Sequence, residues 1–230
     1  MRDAVGRLPL MRQIPLAIGP EPARAFGNFL DAGNAGAIAH LRALAPGSPP
    51  VYLWGPVGSG KTHLLQAVTE RARESGWTVA RFDAAATAPW QVDGQASFVL
   101  LDDCEQLDAE RQHEAFAAFL AAGDCQATVV AAGDRPPVDL PVREDLRTRL
   151  GWGHVFALQP LGEAETRAAL RREADRRGTF LGDDVMDFLL SRFARDLSHL
   201  MGLLDRLDAY SLETRRVITV PLLKQMLAEP

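Results

Sequence analysis

Lys61 stands at the end of Gly55-Pro56-Val57-Gly58-Ser59-Gly60-Lys61-Thr62. This stretch fits G-x-x-x-x-G-K-[ST], the P-loop or Walker A pattern. Its glycines let the backbone turn sharply and bring N–H groups against phosphate oxygens. Lys61 adds a compact positive charge near the β- and γ-phosphates, and the Thr62 hydroxyl can ligate Mg²⁺. His63 follows the loop and lies near phosphate by position. Lys61 and Lys224 are the chain's lysines, the remaining positive charge being arginine. An ammonium kept at this one position points to chemistry that needs a point charge rather than a planar fork. A second acidic feature belongs with it. Phe98-Val99-Leu100-Leu101-Asp102-Asp103 is an apolar run ending in two carboxylates, the Walker B pattern. Asp102 is placed to hold Mg²⁺, directly or through water, and Asp103 to orient or deprotonate an attacking water. Asp134, in Gly133-Asp134-Arg135-Pro136-Pro137, also follows an apolar run and so falls where α/β sheets place their ligands.

The elements that would position these groups read as an α/β pattern. Val51–Trp54 reads as a buried strand and Thr62–Arg73 as a helix, with Leu64, Leu65, Val68 and Ala72 at helical spacing. A strand, a Gly-rich turn and a helix N-terminus together make an anion site. Further strands are predicted over 78–82, 98–103, 128–132 and 155–158. Residues 83–96 read as a loop with Trp90 as a packing anchor. A helix over 31–43 carries an Ile38, Leu41, Leu44 stripe and could be capped by Asn34. A helix over 108–121 turns Phe116, Phe119 and Leu120 inward and His113 outward, and a short helix over 144–150 is stopped by Gly151. After Pro160 the pattern is helical only, with segments over 163–176, 183–193, 196–211 and 221–227. The Arg and Glu residues of the first read as a solvated face. The domain division expected is an extended Pro-rich arm over 1–25, an α/β nucleotide-binding domain over 26–160 and an all-α domain over 161–230.

Composition narrows the classes. The 230 residues are 47% hydrophobic and 24% charged, with a formal net charge of −5, which suits a soluble globular protein and argues against one built mainly to coat nucleic acid. Cys104 and Cys125 form neither a metal-ligand pattern nor a disulfide framework and read as small buried residues of a cytoplasmic protein. His40, His63, His113, His154 and His199 share no metal-ligand spacing. No apolar run approaches the roughly 20 residues that cross a bilayer, and no secretory signal is read. In the arm, Gln13-Ile14-Pro15-Leu16-Ala17-Ile18 alternates apolar anchors behind a Gln. An extended peptide of that kind could dock in a partner's groove or pack on its own domain. Met11 is a second candidate start.

The P-loop, the Asp-Asp Walker B pair, Gly133–Pro137, the box Arg149-Leu150-Gly151-Trp152-Gly153 and the helical C-terminal region together resemble the AAA+ ATPases of the replication-initiator clade, and within it the DnaA-related Hda regulators. The resemblance covers roughly residues 12–228. It implies a five-stranded parallel sheet followed by a small helical lid, with ATP or ADP and Mg²⁺ as cofactors. Gly55 to His63 would hold the nucleotide phosphates, Asp134 would be sensor 1, and Arg149 the arginine finger that reaches a neighbouring subunit's nucleotide, with Arg147 as its rival. Gln13, Ile14, Leu16 and Ile18 match the peptide by which such regulators bind the β sliding clamp of DNA polymerase III. The partners implied are that clamp and DnaA, whose bound ATP would be hydrolysed. A head-to-tail contact of this kind also admits a homo-oligomer, and contact with DNA would run through the clamp. The chain departs from the family in two places. The second Walker B acid is Asp103 rather than Glu, as in the clade, which suggests slow intrinsic hydrolysis. Ser198 falls where a sensor 2 Arg usually sits, with Arg195 one turn away as a substitute. The initiator's C-terminal helix-turn-helix domain and the paired helices before Walker B are also expected to be missing. The alternatives are a helicase-loader-like or transposition helper ATPase and a non-hydrolysing scaffold stabilised by nucleotide.

Overall fold

The computed structural model describes residues 24–193 and 197–228. Residues up to Thr166 form one compact unit. Those from Arg167 onward form another, apart from Leu197, which groups with the first.

In the first unit, five apolar runs make one parallel sheet in the order β2-β3-β4-β1-β5. They are β1 (Val51–Trp54), β2 (Val79–Phe82), β3 (Phe98–Leu101), β4 (Thr128–Gly133) and β5 (His154–Ala157). Every residue of β3 and β4 is buried, as expected for central strands covered on both faces. Side chains alternate between two cores. Phe98, Leu100, Val130 and Ala132 join Val51 and Leu53 under α1 (Ala35–Ala43) and α2 (Lys61–Glu74). Val99, Leu101, Val129 and Ala131 join Tyr52 under α3 (Ala109–Asp124) and α4 (Glu144–Leu150). The result is a helix–sheet–helix sandwich. Trp90 anchors the long segment before β3 by stacking on Phe82, ring centroids 4.8 Å apart.

The second unit is helical. It contains most of α5 (Glu163–Arg176), then α6 (Asp183–Arg192), α7 (Leu197–Thr214) and α8 (Val220–Ala228). Val185, Met186, Leu189, Leu204, Leu207, Leu222 and Leu223 form its buried interior. The charged face of α5 is more than a run of local pairs. Arg167 and Arg171 reach α6, each 2.5 Å from Asp187 and Asp183. Glu173 holds Arg176 and Arg177, each at 2.6 Å.

Three readings of the sequence need correction. Leu120 is 46% exposed rather than inward. The buried stripe of α3 runs through Ala115, Ala118, Phe119 and Ala122, so three alanines and Phe119 mark the inner face and Leu120 falls beside it. Asn34 does occupy the N-cap position of α1 but makes no capping bond. Its amide donates to the Gln159 carbonyl at 2.9 Å and accepts the Gln159 N–H at 2.8 Å. A buried side chain is thereby spent on tying α1 to the segment after β5. Cys125 is only half-buried, whereas Cys104 is fully buried. Among the described residues no helix is long and apolar enough to cross a membrane.

Candidate functional site

The chain leaves β1 at Trp54, which is in register with Gly133 of β4. The Gly55 N–H continues that ladder to the Gly133 carbonyl at 3.3 Å. Beyond it, Gly58 and Gly60 have φ of 81° and 91°, a region that side-chain-bearing residues avoid. These two left-handed turns deliver the chain into α2 with no acidic residue in its first turn. The first intrahelical bond is Leu64 N–H to Gly60 O, 3.0 Å. The amides of Lys61, Thr62 and His63 therefore have no partner within the helix, and the positive end of the helix dipole is left uncompensated. The Ser59 hydroxyl is buried in the loop without a hydrogen-bond partner. An orphaned donor, free amides and an uncompensated dipole are what a bound polyphosphate would satisfy. Lys61, 8% exposed, donates to the carbonyls of Gly55 at 2.7 Å and Pro56 at 3.1 Å. Its ammonium is held at the mouth of the same loop.

Residues before α1 cover one flank. The Phe29 ring lies against Gly60, where an added Cβ would come within 2.5 Å of it. It also meets His63 edge-on, centroids 5.2 Å apart. The His63 imidazole is engaged with the Ala25 carbonyl and Asn28 Oδ1, each at 3.1 Å, and burial lowers its pKa. What His63 offers to phosphate is therefore its backbone amide rather than its ring.

Four carboxylates gather at the C-terminal ends of β3 and β4. Asp102 is 3% exposed. Its Oδ1 accepts the Asp103 N–H at 3.1 Å, and its Oδ2 accepts from the Arg81 guanidinium of β2, also at 3.1 Å. Asp103 adopts a left-handed conformation, φ 50°. Burial and then the neighbouring Asp102 and Glu105 raise its pKa, with Lys61 opposing. Glu105 accepts the Asp134 N–H at 3.1 Å. Asp134 grips Arg135 through two bonds of 2.7 Å, and that pairing holds its carboxyl below the usual range. Tyr52, fully buried in β1, donates to the Arg135 carbonyl at 3.0 Å. Arg81, Glu105, Arg135 and Tyr52 thus belong to the site, although their types and spacing did not single them out. The residues fit a nucleotide's phosphates. They fit poorly a divalent cation held directly by Asp102, because the Arg81 guanidinium already takes one of its oxygens.

Arg149 lies elsewhere. It precedes β5 and borders a groove of about 260 Å³ with Pro50, Phe119, Gln126, Val129 and Trp152. Pro50 and Val129 mark the N-terminal ends of β1 and β4, opposite the P-loop. A four-residue strand spans roughly 13 Å, beyond the reach of one arginine side chain. The Arg149 guanidinium stacks on Trp152 at 4.8 Å, and Trp152 is 70% exposed. No carboxylate pairs with Arg149 among the described residues. Arg147, by contrast, donates to the Val142 carbonyl at 2.7 Å, and its Nε is buried. Gln13, Ile14, Leu16, Ile18 and Arg195 lie outside the described residues, as does the side chain of Ser198.

The helical unit matches a family model. Residues 163–227 match the family model described as Hda, lid domain. The fold of the whole chain is similar to domain III of the replication initiation protein DnaA from Thermotoga maritima, with a TM-score of 0.74 at 22% identity over 91% of this chain and 99% of that one. The likeness is to the Hda lid over the helical unit and to the DnaA fold over most of the chain. The AMPPCP-bound DnaA of Aquifex aeolicus is similar at a TM-score of 0.65 and 23% identity, over 85% of this chain and 69% of that one. A RuvB mutant from Thermotoga maritima is similar at 0.62 and 16%, over 89% and 72%. These likenesses agree with the five-stranded parallel sheet and the helical lid expected from the motifs.

Proposed function

We propose that the protein is a regulatory AAA+ protein that binds adenine nucleotide on Gly55–Thr62 and promotes hydrolysis of ATP held by DnaA. The observation that carries this reading is the position of Arg149. A guanidinium with no carboxylate partner among the described residues stands on an exposed tryptophan, at the strand ends opposite the chain's own phosphate cradle. A charge so placed is useless to its own nucleotide and presented to a neighbour's. An arginine finger stabilises the charge that develops on a transferred phosphoryl group, a contribution of about 10³–10⁵ in rate. Adenine as the base is supported by the AMPPCP bound in the Aquifex aeolicus DnaA. The resident species, ATP or ADP, is held by amides of the loop and of the α2 N-terminus, with Lys61 as counter-charge. Asp103 and Asp134 face it from the strand ends.

Residues 13–18 are proposed to dock on the β sliding clamp, which would confine the activity to replicating DNA and limit initiation in the cytoplasm. A heterologous contact between a finger on one face and a nucleotide on another suits mixed head-to-tail assemblies with DnaA. The test is ATP hydrolysis by purified ATP–DnaA in the presence of clamp loaded on DNA. Arg149→Ala should abolish the stimulation while Arg147→Ala keeps it, and Gln13→Ala should lose clamp binding. Wild-type stimulation by Arg149→Ala would refute the finger, and undiminished clamp binding by Gln13→Ala would refute the docking peptide.

A further inference from the structure

The acid at the end of β3 already has a cation. Arg81 is the third residue of β2, opposite Leu100 in the parallel register. From there its side chain reaches Asp102 just beyond the end of β3, Nη2 to Oδ2 at 3.1 Å. The pair is largely shielded, with side-chain exposures of 29% and 3%. The other oxygen of Asp102 accepts the Asp103 amide, and the Asp102 N–H is itself bonded to the Phe82 carbonyl of β2 at 2.9 Å. Asp102 is thus fixed from both sides by strand β2.

A divalent cation bound directly on Oδ2 of Asp102 would compete with the guanidinium for that oxygen. That guanidinium is a planar fork matched to a carboxylate. Displaced, it would be left part-buried next to a dication, with its own partner removed, and stripping one member from a buried pair is strongly unfavourable. The hydroxyls near the loop are those of Thr62 and of Ser59, the latter without a hydrogen-bond partner. The positive charge that a nucleotide meets is therefore built into the chain: Lys61 at the loop mouth, the α2 dipole, and Arg81 where the family's metal-side acid stands.

We propose that Arg81 takes the place of the divalent cation at Asp102, so that this protein binds adenine nucleotide independently of Mg²⁺. The inference rests on the reading of Gly55–Thr62 as the nucleotide cradle. It makes the chain's own site one that retains nucleotide, with metal-assisted turnover disfavoured by the same ion pair.

The test is equilibrium binding of fluorescent ADP to the full chain, in magnesium chloride and in excess EDTA. Wild-type dissociation constants should agree within about threefold, whereas Arg81→Met, which frees Asp102, should bind about tenfold or more weakly in EDTA than in magnesium. Arg81→Lys should restore indifference to the metal, because a cation returns to Asp102. Mn²⁺ titration followed by electron paramagnetic resonance supplies a readout that a purely structural role would not move. The wild-type ADP complex should hold Mn²⁺ no more tightly than free ADP does, and the Arg81→Met complex about tenfold more tightly. Should Arg81→Met fold poorly, Arg81→Gln keeps a donor on Asp102 without its charge, and the wild-type measurements stand by themselves. A tenfold loss of wild-type affinity in EDTA, or equal Mn²⁺ affinity in wild type and in a folded charge-removing variant, overturns the role of Arg81 and leaves the cradle intact. Failure of the wild type to bind ADP in either buffer overturns both.

Discussion

Gly133→Ala should be among the most damaging single-methyl additions to the α/β unit. Gly133 ends β4 beside Tyr52 of β1, and an added Cβ would lie 2.0 Å from the Tyr52 hydroxyl oxygen and 3.1 Å from Cζ. Tyr52 is fully buried, so its ring has no room to swing aside. Burial also pushes its phenol well above the ordinary range, so it stays protonated as the donor to the Arg135 carbonyl. Overpacking costs about 1–3 kcal/mol. Losing the part-buried hydrogen bond costs about 0.5–1.5 kcal/mol more, for a total near 1.5–4.5 kcal/mol in a domain stable by about 5–15. Tyr52→Phe alone should cost about 1 kcal/mol. In the double variant the 2.0 Å clash is gone and the 3.1 Å contact to the ring carbon remains, so most of the alanine's cost should be recovered. The two changes should couple by about 1–3 kcal/mol. Urea unfolding of the four proteins in the cycle measures this. Stability of Gly133→Ala within about 0.5 kcal/mol of wild type, or strict additivity in the double variant, would refute the packing argument.

Lys61→Ala should lose ligand-linked stabilisation. Wild type at an ADP concentration of about 100 Kd gains about 2.7 kcal/mol by mass action, and an equal rise in melting temperature in the variant would contradict the role of the cradle. Arg147→Ala removes the bond to the Val142 carbonyl and should cost about 1–3 kcal/mol, whereas Arg149→Ala should stay within about 1 kcal/mol of wild type, since it loses only an exposed cation–π contact; the two thermal unfolding curves decide it. In the helical unit, hydrogen bonds from Arg176 and Arg177 hold the Glu173 carboxyl at about 2. A depressed folded value means that its contribution is full above the unfolded value near 4.5 and is lost as pH falls towards about 2. Glu173→Gln should therefore be less stable at neutral pH and show a shallower loss between pH 4.5 and 2, read as urea midpoints across that window.

The parts of this molecule that a sequence states are those written in adjacent residues. The P-loop is one such part, since its glycine spacing and its following helix are local. The central strands are another, because β3 and β4 are buried on both faces and read as unbroken apolar runs. Contacts between strands are not written that way. Arg81 and Asp102 meet only once β2 is laid beside β3 in a definite register, and an arginine in a short edge strand reads as surface charge until then. Tyr52 and Gly133 meet for the same reason across β1 and β4. Asn34 failed as a cap because a tertiary partner, Gln159, outcompeted the local amide. Leu120 failed because the inner stripe of α3 is carried by Phe119 with three alanines, and a reading that follows only the large apolar residues misses the alanines that set its direction.

The two cationic devices of the α/β unit bear on one another through the length of a strand. Lys61 and Arg81 stand where β1 and β2 end, and Arg149 stands where β1 and β4 begin. No rotamer of Arg149 brings it to the phosphates held by its own loop, so any phosphate it touches lies on another chain. Slowing turnover in the chain's own site would then cost nothing to that outward function and would help it. A chain that keeps one nucleotide keeps one conformation of the unit that carries Arg149, because a ligand bound only to the native state biases the ensemble towards it. Arg81 on Asp102 and Arg149 on Trp152 are in this sense complementary. The first suits a site that holds nucleotide, and the second a surface that acts on a neighbour's. Melting curves of wild type and Arg81→Lys with and without ADP should therefore rise together in EDTA, and a rise that required magnesium in both would separate the two devices and remove the argument that joins them.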